Sequence, residues 1–482
     1  MSSATGIRIA PELPEGNRPT GWLGRSGYAS QILVVAAPLA VWLIPLRVDP
    51  KTHGALAIVA FMLLAWMTEA IDFTLAGLIG CFLFWVAKVA GLDQAFSGFV
   101  DSTSWFMFAA VTIGLMGEKT VLPRVLSNWV IRRVGLTYSR ILLGLIITNF
   151  LLTFVVPSGI ARLVILAPIC EGLLQSFGAP RGSNTARGMF LIVSYTSVLF
   201  DKFIVSGATS ITGRGMMERF GGVHISWSEW FAAFAPIDVL TVLACWGITL
   251  WLLPPEKTGV PGGEHYLENQ SAESLRWRPL DTRACILMGS AVLLWMTDFL
   301  HGLNPAAVAL GVAFIALLPR IGVLSADDLK RGNFMPFYFV AAALSMGTVV
   351  TNTGAISYMT DAMFGWMNPA MSESMRITVL YWSACAYHLL LASEISMMST
   401  SVPPLMKFAT INHLDPKVLG LVWIFASGGK IFVYQSAVTA IGYSYGYFKA
   451  SDLLKLGLIL TFVVFLFLIV LTRFYWPLIG IG

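Results

Sequence analysis

Apolar runs of spanning or near-spanning length recur along almost the whole chain. They lie at 31–48, 55–71, 74–92, 103–117, 139–156, 158–175, 187–206 and 229–253, and then at 281–300, 304–322, 334–352, 376–392, 395–411, 417–434 and 453–479. A helix crossing a hydrocarbon core of about 30 Å needs about 20 such residues. Of the 482 residues, 56% are hydrophobic and 12% charged, whereas a soluble domain carries about 25% charged residues. A water-soluble core could not absorb that much apolar surface. With lipid as solvent, each spanning segment must satisfy its own backbone polar groups, so these runs are expected to be helices. The expected fold class is an all-α polytopic membrane protein.

Charge and motif content exclude several functions. The net charge of +5 is dispersed, with no basic stripe or RNA-binding motif, so no nucleic-acid partner is expected. Cys81, Cys170, Cys245, Cys285 and Cys385 all fall in apolar runs without a CxxC pair. They read as small membrane-core residues, not a disulfide framework. The sequence has no HExxH, Walker A or Cys/His metal spacing, so enzymatic activity is not expected and ATP-driven pumping would need a partner chain. Residues 1–30 are polar and contain Gly and Pro, which suits a cytoplasmic tail better than a signal peptide. The polar stretch 254–280 reads as a cytoplasmic linker between a first transmembrane half, 31–253, and a second, 281–482.

The two halves echo each other. Trp66-Met67-Thr68-Glu69 recurs as Trp295-Met296-Thr297-Asp298, Ser158 with Pro168 recurs as Ser393 with Pro403, and Lys202-Phe203-Ile204-Val205 recurs as Lys430-Ile431-Phe432-Val433, at nearly constant offset. Two runs begin with polar residues, Pro157-Ser158-Gly159 and Ser393-Glu394-Ile395, and follow the preceding run almost without a loop. The stretches 139–175 and 376–411 therefore read as re-entrant hairpins, which polar backbone at membrane depth tolerates only inside protein or beside a cavity. Lys119, Arg124, Arg132, Arg133 and Arg140 follow the fourth run and place that segment in the cytoplasm, while its counterpart near 355–378 is poor in positive charge. The repeats are thus expected to be inverted, each with a hairpin and a broken helix, with the binding site between them near the midplane.

From about Trp66 onward the chain resembles the divalent anion/sodium symporter family, which includes dicarboxylate, citrate and sulfate carriers. Trp66-Met67-Thr68-Glu69-Ala70-Ile71 is similar to that family's W-x-T-E-A-[IL] signature, and His301 to Ala306, Gly446 to Lys449 and Asp452 to Lys455 are similar to further family positions. The resemblance implies a homodimer with a scaffold part and a moving transport part. It also implies that Ser-Asn-Thr at each hairpin tip holds sodium and substrate carboxylate. Here the tips read Ser158-Gly159-Ile160 and Ser393-Glu394-Ile395, so only the Ser is kept. The family's unwound Thr-Pro-Pro-Asn-like segments are replaced by Gly207-Ala208-Thr209-Ser210-Ile211 and Gln435-Ser436-Ala437-Val438-Thr439. Sodium remains possible but its motifs are eroded, and no cofactor or metal is expected.

Lys202 and Lys430 stand at matching places inside apolar runs, where charge is costly and usually functional. Each ammonium is expected to stand in for a sodium ion; the bland alternatives are snorkelling to an interface, or pairing with Asp201 and a backbone carbonyl. Arg162 could hold a carboxylate or sulfonate through paired hydrogen bonds, or close a salt bridge to Glu394. Glu394 is a candidate proton carrier, or else the fixed member of a salt bridge or a helix cap. The substrate-binding set is read as Ser158, Gly159, Arg162, Gly207, Thr209, Ser210, Ser393, Glu394, Ser436 and Thr439, whose hydroxyls and neighbouring helix N-termini favour an anion. Each could instead be a small residue at a helix contact. His388 reads as a structural histidine before a proton relay. Glu69, Asp72 and Asp298 read as caps or interface residues.

The expected function is secondary active transport of a small anion (a di- or tricarboxylate, sulfate or sulfonate) by alternating access, with exchange or proton coupling. The alternatives are a sodium-coupled dicarboxylate symporter with a diverged site, and a membrane sensor or enzyme on the same fold. The expected location is a bacterial inner membrane, with the N-terminus in the cytoplasm.

Overall fold

A computed structural model describes residues 27–45, 47–257, 276–391 and 393–481. Residues 1–26 of the expected cytoplasmic tail and most of the expected linker lie outside the described residues, and the last four residues of that tail already belong to the first helix. Among the described residues the regular structure is helical. The longer helices are α1 (Gly27–Leu43), α2 (Pro50–Thr68), α3 (Phe73–Val86), α4 (Ser102–Lys119), α5 (Leu122–Val134), α6 (Tyr138–Thr153), α7 (Gly159–Phe177), α8 (Asn184–Phe203), α9 (Ala208–Gly221) and α10 (Trp227–Leu252). They continue as α11 (Pro279–Met296), α12 (Pro305–Leu317), α13 (Met335–Asn352), α14 (Ala355–Phe364), α15 (Glu373–Leu390), α16 (Glu394–Ile411), α17 (Pro416–Ala426), α18 (Ala437–Ser444) and α19 (Ala450–Val470). The order α2–α10 is followed by α11–α19 helix for helix, which is the structural counterpart of the repeated motifs.

Among the described residues six helical segments are long and apolar enough to cross a membrane, or seven if α4 and α5 count as one bent span. Several of the expected runs fall short by length, and α16 is too polar to be among them. The segment after α4, expected as a basic cytoplasmic stretch, is itself helical: α5 turns 67° away from α4. Its last turn carries Arg132 and Arg133, placing cations where the carbonyl end of the helix dipole favours them.

The continuous stretch Asn184–Gly221, which contains α8 and α9, is 94% buried over its most apolar window, while Ala450–Ile479 is 33% buried. The first is therefore wrapped by the protein and the second is left mostly uncovered by it. The polar residues of α8 have inward partners: Asn149 on α6 donates from Nδ2 to Thr196 Oγ1 and Ser197 Oγ, both at 2.9 Å. Packing crosses the two halves. α9 lies on α16, and α18 lies on α7 and α8. The small residues Ala342 and Ala341 of α13 let α3 at Gly77 and the turn at Gly98 come close, and the Gly98 N–H donates to Ser345 Oγ at 2.9 Å. Close approach of backbones is what holds helices together when lipid is as apolar as the side chains.

Gly457 on α19 sits against the backbone at Lys430. A Cβ there would run into the Lys430 carbonyl oxygen and lie 3.0 Å from Ile431 Cα. Neither backbone atom can rotate away, so Gly457→Ala is expected to cost about 1–3 kcal/mol by overpacking. Thermal denaturation of the purified protein in detergent checks this. An unchanged midpoint would show that α19 does not press on the Lys430 backbone.

Candidate functional site

Helix starts and helix breaks converge on one cavity of about 720 Å³. Ser158 caps α7, its Oγ accepting from Ala161 N–H at 3.3 Å, and Ser393 caps α16, accepting from Ser396 N–H at 3.5 Å. Short segments outside the α-helices separate α8 from α9 and α17 from α18; Gly207 and Ser436 stand at the N-terminal caps of the later helices. Ser436 Oγ accepts from Val438 N–H at 3.2 Å. The lining includes Ser158, Gly159, Ile160, Asp201, Ser206, Thr209, Ser393, Glu394, Ile395 and Ser436. The exposed residues Glu69, Asp72, Glu118 and Arg331 stand at its rim. Helix N-termini carry partial positive charge and unpaired N–H groups, so such a place suits an anion.

Glu394 is the electrostatic hub. Its Oε1 lies 2.5 Å from Lys430 Nζ and 3.7 Å from Lys202 Nζ, and its Oε2 accepts from Thr209 Oγ1 at 3.1 Å. Lys430 also donates to the Ser427 carbonyl at 2.7 Å and to His388 Nε2 at 2.9 Å. An ammonium can only donate, so His388 Nε2 accepts and the ring is neutral with its proton on Nδ1. Lys202 reaches the Phe425 carbonyl at 3.5 Å, while its own carbonyl accepts from Trp230 Nε1 at 2.8 Å. Both lysines are almost fully buried, so neither snorkels, and Lys202 pairs with Glu394 rather than with Asp201.

Arg162 corrects an expectation. It neither lines the cavity nor reaches Glu394. All five of its N–H groups are used: Nε on Asn149 Oδ1 at 3.1 Å, Nη1 on the Val156 and Pro157 carbonyls at 2.9 Å each, and Nη2 on the Ser197 carbonyl and Asp201 Oδ1 at 2.8 Å each. It is 0% exposed and has no donor left for a substrate. Its work is to tie the tip of α7 to α8. The second half repeats that tie with the charges reversed, Glu394 at the tip of α16 and Lys430 beyond α17.

Ser158, Gly159, Thr209, Ser393, Glu394 and Ser436 thus share the cavity wall. Gly207, Ser210 and Thr439 stand behind it: Ser210 Oγ donates to the Ile204 carbonyl at 2.8 Å and Thr439 Oγ1 to the Val433 carbonyl at 2.8 Å, bonds that hold the two breaks. Asp72 caps α3 through Thr74 N–H at 3.0 Å, as expected, and Asp298 accepts from Trp227 N–H at 2.6 Å at the start of α10. Glu69 ends α2 in a left-handed conformation (φ 53°) and lines the cavity. Among the lining residues that the sequence reading does not assign to the site, Asp201 and Ser206 lie next to the helix break. Asp201 had been noticed only as a neighbour of Lys202. Ser206, in the first break, has a buried hydroxyl without a partner among the described residues. Its position between the repeated Lys-Phe-Ile-Val block and Gly207 was the available signal.

A multi-pass helical membrane protein with ionic groups, hydroxyls and helix starts around an open interior cavity is built as a solute carrier. The comparison with known proteins narrows that class: the sodium:sulfate symporter transmembrane region matches residues 25–481. The chain belongs to that family and is a secondary transporter of small anions. It is 25% identical over 476 residues to a membrane protein of Cupriavidus necator, with 92% of each chain covered. It is also 25% identical over 460 residues to the L-tartrate/succinate antiporters of Escherichia coli and Shigella flexneri, with 90% of each chain covered.

Removing one member of a buried ion pair leaves the other uncompensated and costs about 3–5 kcal/mol. Lys430→Met should lower the thermal midpoint accordingly, because Glu394 would keep only Lys202 at 3.7 Å. The double variant Glu394→Gln/Lys430→Met should be less destabilised than the single one. Equal losses would mean that the pair is not the structural hub.

Proposed function

We propose that the chain exchanges small dicarboxylates across a bacterial inner membrane by alternating access, or moves them with protons, without using sodium. The observation that carries this reading is the placement of Lys202 and Lys430 around Glu394, at the two helix breaks that border the cavity. In sodium-coupled members, the family pattern puts sodium near these breaks. Here Lys430 Nζ holds a carboxylate, a carbonyl and a ring nitrogen at 2.5–2.9 Å, so a fixed cation already occupies the middle of that donor set. That arrangement supports a site that works without sodium. An ammonium tethered to the protein keeps the site positive whether or not a solute is bound. Succinate and L-tartrate are the first substrates to test, because relatives that match along nine-tenths of the chain carry those names. The unpartnered Ser206 hydroxyl, together with Ser158, Ser393 and Ser436, offers hydrogen bonds to carboxylate oxygens.

The further expectations are a homodimer with a moving transport part, inverted repeats and a cytoplasmic N-terminus. With that orientation, counting the spans puts the rim residues Glu69, Glu118 and Arg331 on the cytoplasmic side, so the cavity opens inward.

Proteoliposomes loaded with succinate should take up labelled L-tartrate or succinate at a rate that does not change when choline replaces external sodium. Lys202→Met and Lys430→Met should each slow exchange at least tenfold. Uptake that requires sodium, or that survives both substitutions at the wild-type rate, would refute the reading.

A further inference from the structure

A second cavity, separate from the first and sharing no lining residue with it, holds about 20 Å³, room for about one water molecule. Lys202 of α8 forms one wall, and Asp238 and Thr241, one turn apart on α10, form another. Asp238 is 3% exposed, yet among the described residues its Oδ2 has no hydrogen-bond partner, and neither does the buried hydroxyl of Thr241. An ionised carboxylate oxygen without a donor is costly in a membrane core, whereas the acid form brings its own O–H.

Lys202 is the cation that faces Asp238 across the cavity, beside the hydroxyl of Tyr195. From α15, Tyr381 donates its hydroxyl to the Thr461 carbonyl at 2.7 Å. From α8, the Tyr195 hydroxyl accepts from Lys430 N–H at 3.3 Å. The turn after α17 presents Gly428, and α19 presents Thr461, whose hydroxyl donates to the Gly457 carbonyl at 2.7 Å. Cys245 lies further along α10 itself, and Glu394, Lys430 and His388 lie beyond Lys202. Among the described residues lining this cavity, Lys202 and Asp238 carry the only charges. Lys202 is loosely held, 3.7 Å from Glu394 and 3.5 Å from the Phe425 carbonyl, and a side chain at position 428 would run into its Nζ. A metal cation is unwelcome beside that ammonium, but a proton can pass through it.

We propose that Asp238 is a proton-binding site, loaded from the substrate cavity through Glu394 and Lys202, and that its proton couples to the carried anion. A proton from the cavity bonds to Glu394. Lys202 passes one N–H proton across a water to Asp238 Oδ2 and takes the Glu394 proton in return. One O–H bond forms at Asp238, the one at Glu394 breaks, and Lys202 ends as an ammonium. The consequence is electrostatic. Arg162, Lys202 and Lys430 face the carboxylates of Asp201 and Glu394, so one positive charge is in surplus when Asp238 is protonated and none when it is ionised. A bound anion and a proton on Asp238 therefore favour each other, and that coupling is reciprocal. This rests on the anion-carrier reading above.

Infrared difference spectra between acidic and alkaline pH test the site on the full chain in lipid, without substrate. The wild type should show a carboxylic-acid C=O band at neutral pH that is lost in Asp238→Asn, shifted in Asp238→Glu and kept in Glu394→Gln. A wild type without the band, or a band that survives in Asp238→Asn, overturns the proposal. The shifted band of Asp238→Glu guards against a loss caused by misfolding. An indicator dye then follows protons taken up when succinate or L-tartrate is added. Uptake should fall at least fivefold in Asp238→Asn, and exchange should lose its pH dependence. Exchange with unchanged pH dependence in that variant overturns the coupling. If neither anion binds while the infrared band is assigned to Asp238, the dicarboxylate reading fails and the proton site stands.

Discussion

Glu394 sits where the two halves of the chain meet, and its charge is the constraint that the surrounding helices satisfy. A carboxylate in the middle of a membrane protein is tolerable only when cations and donors reach it. Lys430 does so from its own half, and Lys202 and Thr209 do so from the other. Those three contacts demand that α8 stop at Phe203, that the chain open into a break there and again after α17, and that α9 lie along α16. The breaks leave helix starts facing a cavity, and the cavity is where an anion can be held. The geometry of binding thus follows from the need to neutralise one side chain.

The first hairpin meets the same need with the signs exchanged. Arg162 is on the hairpin helix and Asp201 on the helix before the break, where the second half has Glu394 and Lys430. Gly159 stands where the second half has Glu394, and its lack of a side chain lets the Asp201 carboxylate approach the tip. Two hairpins of common design therefore present different surfaces, one an uncharged backbone turn and the other a carboxylate with two cations behind it. A solute that contacts both tips meets an asymmetric site.

Much of the fold was legible because lipid simplifies the code. Long apolar runs become helices, Ser before a helix start becomes a cap, and repeated motifs mark repeated elements, as Trp66 and Trp295 do. The importance of Lys202, Lys430 and Glu394 was legible too, since charge in an apolar run is rarely idle. Their partners were not. Arg162 was expected at the substrate or on Glu394, but its five acceptors come from α6, the loop after it and α8, and only packing brings them around one guanidinium. Asp238 carried the same signal as Lys202, a lone charge in an apolar run, but it lies outside the motifs that repeat. Helix α5 was legible as a basic segment, whereas its helical form rests on the alternation of basic and buried residues such as Val130 and Ile131.

The knitting of one half into the other has a consequence for how the protein is made. The chain emerges from the N-terminus, and domains generally fold in that order. By the time α8 and α9 enter the bilayer, the ammonium of Lys202 is already in place, but its carboxylate partner is not yet synthesised. Glu394 comes nearly two hundred residues later, together with α16, the helix on which α9 rests. The first half is therefore an unfinished object with a buried charge and an uncovered helix face, and the insertion machinery must shelter it. The site closes only when α16 and then the break after α17 arrive, so assembly of the carrier is completed from its C-terminal half inward.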